Sequence, residues 1–82
     1  MKDMYIEVSI DLKQYNGECF DLRLSNSYTV KELVEIVWQV KSIPYPPKEG
    51  FWVRNTNKQR VLSGNDLLVN SGITTGDRLE IL

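Results

Sequence analysis

Only one segment of this chain, Thr29 to Val40, carries helical periodicity, and it lies between stretches that alternate with a period of two. Val30, Leu33, Val34 and Val37 recur at the spacing of one helix face, widened by Ile36 and Val40, while Glu32, Glu35 and Gln39 take the wet side. Thr29 with Glu32 three positions on forms a capping box, and Tyr28 with Leu33 is placed for a hydrophobic staple. Trp38 falls at the border of the stripe, beside Lys31 on a helical wheel. Several of these residues are β-branched, which weakens intrinsic helicity, so packing must hold the helix. A lone helix cannot bury its stripe, and neither can one face of a sheet. The two must pack on each other, which predicts an α+β roll with a mixed sheet of four to five strands on one helix. The helix stops before Pro44, and Ile43-Pro44-Tyr45-Pro46-Pro47 forces an extended connection.

Met4, Ile6, Val8, Ile10 and Leu12 alternate with Tyr5, Glu7, Ser9, Asp11 and Lys13, a strand with one aliphatic face. In a second strand Phe20, Leu22 and Leu24 face in, and Cys19, Asp21 and Arg23 face out. The Asn16-Gly17 pair between them suits a two-residue turn, but that turn would set inward Leu12 opposite Asp21 and bury a carboxylate. A three-residue loop of Tyr15, Asn16 and Gly17, with Gly17 left-handed in a bulge, sets Leu12 opposite Phe20 and is the expected geometry. Beyond the helix, Phe51–Arg54 and Arg60–Leu62 read as strands joined by the polar loop 55–59. Ser63-Gly64-Asn65-Asp66 opens a turn or short helix containing Leu67 and Leu68, and Ser71-Gly72 and Thr75-Gly76-Asp77 punctuate the run to a closing strand. There Leu79 and Ile81 alternate with Glu80 and Leu82.

With 82 residues, 41% apolar and 26% charged, the chain is expected to be one domain, residues 1–82, with a modest core. A net charge of −1 with interspersed signs leaves no electrostatic footprint for nucleic acid. No apolar run approaches the ~20 residues of a membrane span, and Met1-Lys2-Asp3-Met4-Tyr5 leads into a strand without a signal-peptide core. One cysteine, Cys19, forms no internal disulfide and points to a reducing, cytoplasmic setting. Without histidine, the chain lacks the commonest general base and zinc ligand, and its glycines are scattered turn residues. The expectation is no enzyme, no cofactor and no metal.

At this point the chain resembles the β-grasp fold, and ubiquitin in particular. Ile43-Pro44 and Pro46-Pro47 are similar to the Ile-Pro-Pro segment of ubiquitin, and Leu68, Ile73, Leu79 and Ile81 recur at the spacings of its core positions. Three stretches resemble the YukD/EsaB family of small ubiquitin-like proteins: Ile10–Lys13 with Tyr15-Asn16-Gly17, Phe20–Ser25, and Gly72-Ile73-Thr74 through Gly76–Leu82. The resemblance implies a bacterial, non-conjugated interaction module, accessory to the type VII secretion systems of Gram-positive bacteria. Its implied partners are proteins of the secretion machinery, with no nucleic acid and no direct membrane insertion; recruitment to the membrane by a partner and weak self-association stay open. Covalent modifiers and sulfur carriers of this fold need a flexible tail ending in a slim dipeptide, usually Gly-Gly. Nothing follows Leu82 here, so that chemistry is expected to be absent. It is the alternative if native C-terminal residues are missing from the chain.

In ubiquitin the binding surface is an apolar patch on the open face of the sheet, drawn from the first loop, the third strand and the last strand. Matching along the chain puts Tyr15, Val53 and Leu82 at those places. Parity alone is ambiguous in the third strand, because Phe51, Trp52 and Val53 are all apolar. The match makes Trp52 core and leaves Phe51 and Val53 outward. Arg54 and Arg60 flank such a patch, since arginine is enriched at interfaces. Trp38 has two readings: a core residue whose N–H reaches a backbone carbonyl, or an anchor for a partner.

Overall fold

The computed structural model describes residues 4–82; Met1, Lys2 and Asp3, the start of the segment expected to lead into the first strand, lie outside the described residues. The elements are β1 (Tyr5–Asp11), β2 (Cys19–Ser25), α1 (Val30–Val40), β3 (Val53–Asn55), β4 (Arg60–Leu62) and β5 (Arg78–Ile81), with a 3-10 turn at Leu68–Asn70. The five strands form one mixed sheet in the order β2-β1-β5-β3-β4. β1 and β5 run parallel at its centre, and the other pairs are antiparallel.

The stripe of α1 and one face of the sheet bury each other. Val30, Leu33, Val34 and Val37 join Ile6, Val8, Ile10, Leu12, Leu24, Val53, Leu62, Leu79 and Ile81 in a single cluster with Leu68 and Ile73. Two apolar expectations fail at the margins: Met4 is 61% exposed and Val40 58% exposed, since neither is backed by the opposing layer. Thr29 caps α1 as its spacing indicates, its hydroxyl accepting from the Glu32 N–H at 3.1 Å while the Glu32 carboxylate accepts from the Thr29 N–H at 2.9 Å. Two further N–H groups of the first turn donate to the main chain after β4, Val30 to the Asp66 carbonyl at 2.9 Å and Lys31 to the Gly64 carbonyl at 3.0 Å.

The β1–β2 connection departs from the three-residue loop. Ile10 pairs with Phe20 and Asp11 with Cys19, so Leu12 meets Glu18 and five residues, 13–17, make the loop. The shift is by two positions, so every side chain keeps its predicted face. Two short side chains make the longer loop stable: Asp11 accepts from the Lys13 N–H at 3.0 Å and Asn16 from the Glu18 N–H at 2.9 Å. Gly17 is left-handed, φ +80°, as expected.

Candidate protein-interaction surface

The face of the sheet turned away from α1 falls into two chemically different halves. On β2 and β1 it is polar: Ser9 donates to Asp21 at 2.9 Å, and Arg78 of β5 reaches Asp11 at 3.4 Å and Cys19 Sγ at 2.9 Å. On β5, β3 and β4 an apolar strip crosses the sheet. Its geometry follows from register. Val53 pairs with Ile81 and with Leu62, all three buried. The residue before Val53 and the residue after Ile81 therefore share the opposite face. These are Trp52 and Leu82, joined by the Leu82 N–H donating to the Trp52 carbonyl at 3.0 Å. One step along, Arg54 lies between Val61 on β4 and Glu80 on β5. Trp52 is 50% exposed and Val61 53%, while Leu82 is half-buried.

Two members of the strip, Trp52 and Leu82, are held by neighbouring residues. The Trp52 indole lies against Gly50, where a Cβ would come 2.5 Å from Nε1; Gly50 also has φ +87°, a conformation open to glycine. The Leu82 carbonyl accepts from the Tyr15 hydroxyl at 2.8 Å. The Tyr15 ring stands edge-on to Trp38, with centroids 5.0 Å apart. Burial, and secondarily the neighbouring Tyr45, push the Tyr15 phenol above its ordinary pKa, which keeps it a neutral donor at physiological pH. Glu80, only 2% exposed, accepts from Gln14 at 3.0 Å and pairs with Arg54 at 3.4 Å, so its charge is met within the face. The cleft that Tyr15, Lys48, Trp52 and Leu82 help line is about 10 Å³, against the several hundred Å³ of a small-molecule site. This is a surface shaped for flat contact.

Of the residues singled out from the sequence, Tyr15, Arg54 and Leu82 come together here. Three do not. Val53 is 1% exposed and belongs to the core, the reverse of the ubiquitin-based match, and Trp52 takes the outward place expected of it. The cause is Phe51, whose φ of +51° breaks the strand before it begins, so alternation starts at Trp52. Phe51 itself is half-buried and packs against the core cluster, with Gly64 close beneath it and the Lys31 ammonium 5.5 Å from its ring centre. Trp38 is 7% exposed and its Nε1 donates to the Tyr45 carbonyl at 2.9 Å, the core reading rather than the anchor. Arg60 pairs with Asn55 and so takes the opposite side from Arg54, away from the strip. Val61 is a member of the strip beyond those residues: with Leu62 in the core, the alternation Arg60-Val61-Leu62 turns it outward.

A mixed five-stranded sheet packed on one capped helix defines a ubiquitin-like β-grasp protein. Solved structures agree: a designed protein based on ubiquitin has a TM-score of 0.73 at 23% identity, covering 95% of this chain and 87% of that one. The ubiquitin of Caldiarchaeum subterraneum has a TM-score of 0.72 at 19% identity, covering 95% and 91%. More specifically, the sequence model of the family described as WXG100 protein secretion system (Wss), protein YukD, matches residues 5–81. The ESX secretion system protein YukD of Bacillus subtilis (strain 168) is 56% identical over 79 residues, 96% of this chain and 100% of the relative. The chain belongs to the YukD family of secretion system proteins.

Proposed function

We propose that the protein is a non-conjugated interaction module, accessory to an ESX-type (type VII) secretion machine, that works by contact with a protein partner rather than by catalysis. It acts in the cytoplasm and reaches the membrane through that partner; among the described residues no helix is long and apolar enough to cross a membrane. Family membership supports the secretion setting. The observation that carries the contact reading is Trp52, half exposed at the centre of the Val61–Trp52–Leu82 strip with Arg54 beside it. Tryptophan and arginine lead among residues that dominate interface energy, and a central tryptophan truncated to alanine costs about 2 kcal/mol or more. The partner this surface fits is a protein offering a flat, apolar counterface.

The test is Trp52→Ala, checked for an unchanged far-ultraviolet spectrum and melting temperature, in host cells lacking the native copy. Secretion by the system should fall, and capture of machinery components by the tagged protein should weaken about thirtyfold. Full secretion and full capture by the folded variant would refute the surface. Recovery of the protein joined covalently to another molecule would refute the contact mechanism.

A further inference from the structure

All three prolines of the chain fall within the four residues Pro44-Tyr45-Pro46-Pro47, between α1 and β3. Their rings fix φ, and a proline follows both Tyr45 and Pro46, confining those two residues to extended backbone. The chain bends at Pro44 and Tyr45. Trp38 holds the segment at two points: its carbonyl accepts from the Ile43 N–H at 3.1 Å, and its Nε1 donates to the Tyr45 carbonyl at 2.9 Å. Ile43 packs against the core cluster, and Pro47 is half-buried. What stands outside is a ridge of Pro44, Tyr45 and Pro46, with Tyr45 50% exposed. A ridge fixed in this way has little freedom left to lose on binding.

The hydrogen-bonding character of the ridge is one-sided. Prolines have no N–H to donate, and among the described residues the carbonyls of Pro44, Pro46 and Pro47 accept no bond from the protein. The ridge therefore offers apolar rings interleaved with unpaired acceptors. A purely aliphatic counterface would strip water from those carbonyls and return nothing. Tryptophan and tyrosine supply a flat apolar ring and an N–H or O–H donor in one side chain. At the end of the ridge the Lys48 ammonium lies 5.4 Å from the centre of the Tyr15 ring, and no carboxylate among the described residues is within ion-pair distance of it. Pro47 and Lys48 line the same narrow cleft as Trp52 and Leu82, so the ridge adjoins the strip.

We propose that the proline ridge is a second contact for the partner that covers the strip, and that this partner sets tryptophan and tyrosine side chains across Pro44, Tyr45 and Pro46 and a carboxylate beside Lys48. Aromatic-lined grooves take proline-rich segments in this way, ring against ring, with donors reaching the carbonyls between. The charge at Lys48 fixes which end of the ridge lies where on the partner. The inference rests on the reading that the protein works by contact, and adds the chemistry of the counterface.

The experiment replaces Tyr45 of the full chain with the photo-reactive p-benzoylphenylalanine, in host cells lacking the native copy. Irradiation should join the protein to one component of the secretion machinery, at a site that mass spectrometry places beside a tryptophan or tyrosine. Pro44→Ala with Pro46→Ala should cut the adduct about tenfold, and Lys48→Glu about three- to tenfold. These are exposed positions, so the far-ultraviolet spectrum and the Trp38 indole N–H resonance should stay unchanged. No adduct, an adduct undiminished by the proline replacements, an adduct site without tryptophan or tyrosine, or an adduct to a second copy would each overturn the proposal. Trp52→Ala, run alongside, separates it from the wider reading. If Trp52→Ala lowers the adduct and the proline replacements do not, the ridge fails and the strip stands; if neither lowers it, both fail. Loss with the proline replacements alone upholds the ridge and refutes the strip.

Discussion

Replacing Asn55 by alanine removes the centre of a buried polar bridge that fixes the half of the sheet carrying Trp52. Asn55 closes β3 at 1% exposure; its amide donates to Asp77 Oδ2 at 2.9 Å, and its carbonyl oxygen accepts from the N–H groups of Asn57 and Lys58 at 3.1 and 3.2 Å. Asp77, 5% exposed, also receives the Lys58 ammonium at 2.7 Å and the Thr74 N–H at 3.0 Å. A hydrogen bond to a charged acceptor contributes about 1.5–3 kcal/mol, and a neutral one about 1 kcal/mol. Water replaces most of the two loop bonds, because Asn57 and Lys58 are exposed. The expected loss is therefore about 3 kcal/mol, a large fraction of the roughly 4–12 kcal/mol typical of a domain this size. In a thermal melt followed by circular dichroism that is a fall of about 12–24 °C, and in urea the midpoint should drop with an unchanged slope. A loss below about 1 kcal/mol would refute the reasoning, since it would mean water substitutes for Asn55 at Asp77 without cost.

Two further outcomes test the same region. Burial alone would raise the Asp77 carboxyl, but the bonds from Lys58, Thr74 and Asn55 and the Lys58 charge outweigh it and hold the group below its ordinary range. A carboxyl with a depressed folded pKa stabilises above its unfolded value, about 4, and that stability is lost as pH falls through the folded value. Urea titrations from pH 7 to 2 should show a steeper acid limb for the native chain than for Asp77→Asn; equal slopes would remove Asp77 as a source. Gly50→Ala combines a left-handed backbone with a Cβ pressed on the Trp52 indole, and should cost about 1–2 kcal/mol. In a Trp52→Ala background the cost should shrink to the backbone component, and a double-mutant cycle without coupling would contradict the contact.

The helix and the central strands were legible because their signals are local. Thr29 and Glu32 make the capping box within one turn, and Ile6, Val8, Ile10 and Leu12 mark a face without help from the rest of the chain. The interaction surface was legible only in part. Phe51-Trp52-Val53 carries no period of two, so the face of each residue depends on where the strand starts, and that is set by the positive φ of Phe51. The buried places of Asn55 and Asp77 were equally hidden, since each is acceptable inside only because the other lies 22 residues away. The β1–β2 loop shows the same limit. An Asn-Gly pair announces a turn, but the side-chain bonds of Asp11 and Asn16 decide its length.

The two indoles occupy opposite environments, Trp38 enclosed with its N–H bound and Trp52 open to solvent. They make the molecule a ready-made pair of optical reporters. Light emitted at shorter wavelength by the sheltered ring follows loss of the folded interior, while the longer-wavelength emission, open to a dissolved quencher, follows whatever settles on the outer face. Denaturation and docking can thus be read separately from one unlabelled sample.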